Sequence, residues 1–201
     1  MKQTILGVLL LACISMQAQK KTPQHEIAFS TGYPTISFFS HQDCDPYCGD
    51  FKNAVYGKER EFGPMSLEYY HRSTDWLSVG GIFTTVSIKK DIHQNLRDGQ
   101  KIGDYSERYY SLLPAAKFNL LRGEFIGIYT KVALGVCFSP ESTKGVDVDG
   151  DGAKVDEYKF RVMPMYHLTL LGMEIGGRLR AFGEFGFGVK GVYSLGLRYQ
   201  F

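Results

Sequence analysis

The chain has no apolar run long enough to cross a bilayer as a helix. Its longest, Ile5 to Ile14, falls well short of the roughly 20 residues such a span requires. It also lacks a charge excess. The 23 Lys and Arg set against 21 Asp and Glu leave a formal net charge of +2, too weak a field to draw a polyanion, so nucleic acid is excluded as an implied partner. Only 7 Pro and 1 Trp occur. The 4 Cys are not followed by a His–Cys pair at metal spacing, which argues against a zinc ribbon. Beyond residue 24 almost no segment shows the 3.6-residue periodicity of an amphipathic helix, and a helical core is excluded with it.

What is present is glycine and aromatic residues: 23 Gly, 13 Tyr and 14 Phe. Aromatics favour strands, and Gly within strands marks bends, bulges or close backbone approach. That mixture suits a curved, closed sheet.

The first residues read as an export signal. Lys2 supplies the positive start, Ile5 to Ile14 the apolar core, and Met16-Gln17-Ala18 the cleavage region. The expected organisation is a signal peptide over 1–18 and one β-barrel domain over 19–201. Leu11-Ala12-Cys13 also outlines a site for acylation of Cys13. In an oxidising compartment Cys44 and Cys48, in CDPYC, are expected to close a small disulfide loop, with a two-cysteine metal site as the alternative. Cys137 is left as a buried, unpaired thiol.

The mature chain is a series of alternating segments broken by turn-rich stretches. In the last, Tyr193, Leu195, Leu197, Tyr199 and Phe201 share one face, and Ser194, Gly196, Arg198 and Gln200 share the other. Before it, Ala181, Gly183, Phe185, Phe187 and Val189 alternate with Phe182, Glu184, Gly186, Gly188 and Lys190. Ile126 to Phe138 and Met65 to Arg72 alternate in the same way, and further strands are expected near 24–39, 75–88, 105–119 and 159–171. The prediction is all-β, a single antiparallel up-and-down barrel of about eight strands. Long polar links are expected at 40–62, 89–104 and 140–157, and short ones at 72–75, 121–124, 172–175 and 188–191. Apart from 188–191, which is short where the alternation calls for a long link, the pattern is long connections on one rim and tight turns on the other, the asymmetry of outer-membrane barrels.

Which face is wet decides between lipid and water. The polar face holds Gly127, Ala133, Gly135, Gly186, Gly188 and Gly196, with Glu68, Lys131, Glu184 and Arg198 among them. Small residues mixed with a few long charged ones suit the narrow interior of an eight-stranded barrel. A buried charge left alone costs several kcal/mol, so these four are expected to pair as a lumen network and plug the barrel. A diffusion porin needs roughly 16 strands. Aromatics fall in two bands, the expected membrane girdles: Tyr69, Trp76, Phe118, Phe125, Tyr199 and Phe201, then Phe38, Phe39, Tyr109, Tyr110, Phe138, Phe160 and Phe187.

The ending GLRYQF, closed by Phe201, looks like the assembly signal of bacterial outer-membrane barrels, with Tyr199 and Phe201 as its aromatic residues. FGEFGFGVKGVYSLGLRYQF and LLPAAKFNLL resemble the small outer membrane protein β-barrel domain group, often called porin-family. The resemblance covers essentially the whole mature chain. It implies a Gram-negative outer membrane as the location and a barrel as the fold. Membrane lipids, lipopolysaccharide and the barrel-assembly machinery are the partners expected of such a barrel. It implies no activity.

Three local patterns suggest chemistry. Asp147, Asp149 and Asp151, with Gly152, match the start of a calcium loop, but Tyr158 stands where a bidentate Glu is required and Glu157 is one place early. No other cofactor is implied. His167 and Thr169 share a face and resemble the His-x-Ser pair of barrel enzymes that deacylate lipid A, with Glu174 or Glu184 as the third member. The principal expectation is a structural or interaction protein, not an enzyme, whose long loops meet surface ligands or envelope proteins. A lipid A deacylase and a soluble ligand-binding barrel are the alternatives.

Overall fold

A computed structural model describes residues 23–34, 54–94, 101–147 and 154–201. They form β1 (His25–Tyr33), β2 (Ala54–Arg72), β3 (Leu77–Gln94), β4 (Lys101–Arg122), β5 (Ile126–Asp147), β6 (Lys154–Gly176), β7 (Leu179–Gly188) and β8 (Tyr193–Gln200). Each strand pairs antiparallel with the next, and β1 pairs with β8 to close an eight-stranded barrel. The predicted signal peptide, the Cys44–Cys48 loop, Phe38 and Phe39 lie outside the described residues.

Alternation sets the faces. On β8, Tyr193, Leu195 and Leu197 point out and Ser194, Arg198 and Gln200 point in, with Leu195 70% exposed and Arg198 0%. The other strands obey the same rule: Phe29, Leu67, Phe83, Leu112, Val132, Leu134, Leu171 and Met173 are exposed, and Glu68, Lys117, Lys131 and Glu184 are buried. The barrel is thus apolar outside and charged inside. A water-soluble barrel has the opposite arrangement.

Strand lengths are unequal. β2 to β6 have 19, 18, 22, 22 and 23 residues, while β1, β7 and β8 have 9, 10 and 8. Short turns at 73–76, 123–125 and 177–178 lie with both barrel-closing strand ends on one rim. At the other rim β2–β6 rise as a wall above the short strands. Much of what reads as polar link is strand: 54–62 belongs to β2, 89–94 to β3, 101–104 to β4, 140–147 to β5 and 154–157 to β6. A ladder hydrogen bond does not need lipid behind it, so polar residues can continue a strand past the apolar belt. The expected turn at 172–175 is likewise inside β6, and the chain reverses at 177–178, after Gly176 (φ 136°).

Two side chains turn the opposite way from expectation. Tyr109 faces inward opposite Val86 and is buried, so it does not belong to the outer girdle. Val189 also points in, because Gly188 adopts φ 123° and redirects the chain at the β7–β8 turn. The low girdle is otherwise assembled as rings: Trp76 on Phe118 at 6.1 Å and Tyr199 on Phe201 at 5.9 Å. Phe83 with Tyr110 at 6.5 Å and Phe138 with Phe160 at 6.3 Å lie higher.

Candidate functional site: the filled lumen and the raised wall

Glu68, Lys131, Glu184 and Arg198 come together in the lumen, from β2, β5, β7 and β8. Lys131 bridges two carboxylates, 2.8 Å from Glu68 and 2.5 Å from Glu184. Lys190, from the β7–β8 turn, reaches down to the same pair, 2.7 Å from Glu184 and in contact with Glu68. Two carboxylates and two ammonium groups therefore alternate in a ring. Arg198 lies beneath it, its guanidinium 4.7 Å from the Tyr129 ring centre and 4.6 Å from that of Phe182. It faces Glu26 at 3.5 Å, Glu68 at 3.9 Å and Glu184 at 3.8 Å, and is ion-paired with Glu174. Tyr129 donates its hydroxyl to Glu184 at 2.7 Å.

A second group closes the short-turn end. Lys117 pairs with Glu26 at 2.8 Å and Glu174 at 3.5 Å, and Arg180 pairs with Glu174 at 3.0 Å. Arg180 also donates to the carbonyls of Gly123, Glu124 and Gly177, tying two rim turns to the plug. Glu26, Lys117, Arg180 and Lys190 were not foreseen as network members. Lys117 sits among Ala115, Ala116 and Phe118, and one-residue alternation was its only signal. Nearly every charge in the network lies against an opposite one, which offsets its desolvation, while Arg198 Nε is buried without a hydrogen-bond partner among the described residues.

Higher in the lumen the filling changes. Val86, Ile88, Tyr109, Leu113, Cys137 and Val189 form a buried apolar cluster against which Met163 and Met165 pack. The cluster continues down through Tyr70, Ile82, Ala115 and Ala133, beside the ion network, so the inward face combines the expected charges and small residues with apolar side chains. Cys137 is a buried free thiol within it.

His167 and Thr169 meet as their spacing predicts, His167 Nε2 lying 3.1 Å from the Thr169 hydroxyl. Both are buried on the lumen side, and His167 Nδ1 has no hydrogen-bond partner among the described residues. Glu174 and Glu184 are engaged by the cations above instead of orienting His167. Asp147 ends β5 opposite Lys154, while Asp149 and Asp151 lie outside the described residues. Among the described residues no three His, Cys, Asp or Glu side chains are arranged so that they could hold a metal ion. Tyr199 and Phe201 lie on the β1–β8 seam, where Phe201 exchanges both backbone hydrogen bonds with His25.

The wall has edges. The β1 ladder with β2 stops at Thr31–Met65, and the β7 ladder with β6 stops at His167–Gly188. Above those levels β2 pairs with β3 and β6 with β5, with no further strand beside them among the described residues. The outer face of upper β6 carries Tyr158, Phe160, Val162 and Tyr166, all exposed.

No family model matches the chain, and no curated protein matches it. Two solved structures of Ail, the attachment invasion locus protein of Yersinia pestis, are similar to it. One, in complex with the heparin analogue sucrose octasulfate, aligns over 89% of this chain and 97% of its own at 14% identity and a TM-score of 0.46. The other aligns over 90% and 100% at 12% identity and a TM-score of 0.47.

Proposed function

We propose that the chain is an integral outer-membrane barrel, a closed anchor that holds the β2–β6 wall outside the cell as a recognition surface for another polypeptide. The carrying observation is the height of β6. Its outward apolar face runs from Ile175 to Tyr158, a rise of about 55 Å along the strand at ~3.3 Å per residue. Tilted by roughly 45°, that is about 40 Å, against an apolar belt of about 25 Å. Lipid accounts for the lower part only. Phe160, Val162 and Tyr158 stand above it, and exposed apolar residues outside lipid mark interaction surfaces. The adjacent β6 edge, without a neighbouring strand among the described residues, offers main-chain donors and acceptors, and an extended peptide added as a strand uses both features.

The filled lumen speaks against conduction, and the inward placement of His167 and Thr169 speaks against a lipid A deacylase, whose substrate lies against the outside of the wall. The test is to replace 89–106 and 140–159 by two-residue turns. The trimmed chain is expected to keep the heat-dependent gel mobility of a folded barrel while losing adhesion of expressing cells to protein-coated surfaces or to other cells. Unchanged adhesion would refute the recognition role. Extraction of the intact chain without detergent would refute membrane integration.

A further inference from the structure

The outer face of the short-turn rim carries two histidines that neither the wall nor the plug uses. His25 opens β1, and His71 stands directly opposite on β2. The backbone sets their pairing type. His25 spends both its N–H and its carbonyl on Phe201 of β8, while Gln24 accepts from Arg72 of β2. His25 and His71 are therefore a non-hydrogen-bonded pair, the kind whose Cα atoms approach to about 4.5 Å and whose side chains stand closest. Their ring centroids are 5.0 Å apart, with planes inclined at 40°.

That separation has a chemical meaning. Two imidazoles bound through nitrogen to one ion at about 2.1 Å, at an angle between ~90° and ~109°, have ring centres roughly 4.5–5.2 Å apart. The second ring nitrogen of His25 is also provided for: Nδ1 lies 2.9 Å from the Tyr69 hydroxyl. With Nδ1–H donated there, Nε2 keeps its lone pair, and metal-bound histidines are held in one tautomer by such a partner. Phe201 stacks on His25 at 5.5 Å and restrains the ring further.

We propose that His25 and His71 form a two-imidazole site for a borderline transition-metal ion, Cu²⁺, Ni²⁺ or Zn²⁺, on the outer face of the short-turn rim. These are the divalent ions that imidazole ligands suit. With no third protein ligand of the usual kinds among the described residues, water completes the coordination. Bound metal clips β1 to β2 beside the seam that closes the barrel.

The experiment uses the full chain folded in detergent, in a His41→Ala, His93→Ala background, titrated with Cu²⁺ alone. One equivalent is expected to bind, with an electron paramagnetic resonance spectrum showing two equatorial imidazole nitrogens. His71→Ala leaves one nitrogen and weakens binding by at least about tenfold, and Tyr69→Phe keeps both nitrogens but weakens binding by roughly 10- to 100-fold. Because the ion binds only the folded pair, Cu²⁺ raises the temperature at which the folded gel band disappears in the parent and not in His71→Ala. Gel mobility verifies that each variant is folded, and His71→Asn substitutes if His71→Ala is not. Equal affinity in parent and His71 variant, or a single nitrogen in the parent spectrum, overturns the site.

Discussion

Each buried ion in the lumen is tolerated because its partners are within reach, so single deletions should cost more than the pair is worth. Lys131→Met leaves Glu68 and Glu184 sharing only Lys190 and Arg198. It is expected to lower stability by about 3–5 kcal/mol, whereas removing Glu68 and Lys131 together for apolar residues of similar volume recovers much of that loss. Urea unfolding of the barrel in vesicles measures both. Gly172 is a second sensitive position. A Cβ there runs into the Tyr129 ring, whose hydroxyl holds Glu184. Gly172→Ala should therefore cost about 1–3 kcal/mol through overpacking. At this scale the sequence reveals face but not height. Glu68, Lys131, Glu184 and Arg198 were readable as inward because they alternate with greasy neighbours. That Arg198 is clasped by Tyr129 and Phe182, or that Lys190 descends from a turn, depends on barrel shear, which no single strand records. Val86, Ile88 and Leu113 are not legible as interior, since an apolar side chain in a strand fits lipid as well as a packed lumen.

Strand existence was largely readable from alternation, and strand ends were not. Polar stretches at 89–94 and 140–147 pair across the ladder as well as apolar ones do, so composition marks the edge of the belt and not the edge of the sheet. This distinction can be measured on the outward face. Leu195, in the middle of β8 and on its outer face, should meet lipid, and Leu195→Arg is expected to cost about 2–4 kcal/mol. Val162 stands in the raised part of β6, so Val162→Arg should cost no more than about 1 kcal/mol. Folding titrations into vesicles of fixed thickness compare the two. Equal penalties would mean that β6 is immersed along its whole length, and the recognition wall would vanish with that result.

Among the described residues eight strands close the barrel, and an ion network together with an apolar cluster that extends above it fills the lumen. Planar-bilayer recordings are expected to show no steady ion conductance from the folded chain. Anchor, wall and plug all require that Leu195 and Leu134, exposed on the outer face, look into lipid while the buried Ser194 looks into the lumen. Spin labels at residues 134, 194 and 195, placed singly on a cysteine-free chain in vesicles, report this through collisions with oxygen, which concentrates in lipid, and with a water-soluble nickel chelate. Labels at 134 and 195 should collide freely with oxygen and hardly with nickel, and the label at 194 should be shielded from both. Strong nickel collisions at 134 and 195 would put the leucine face in water and contradict the account.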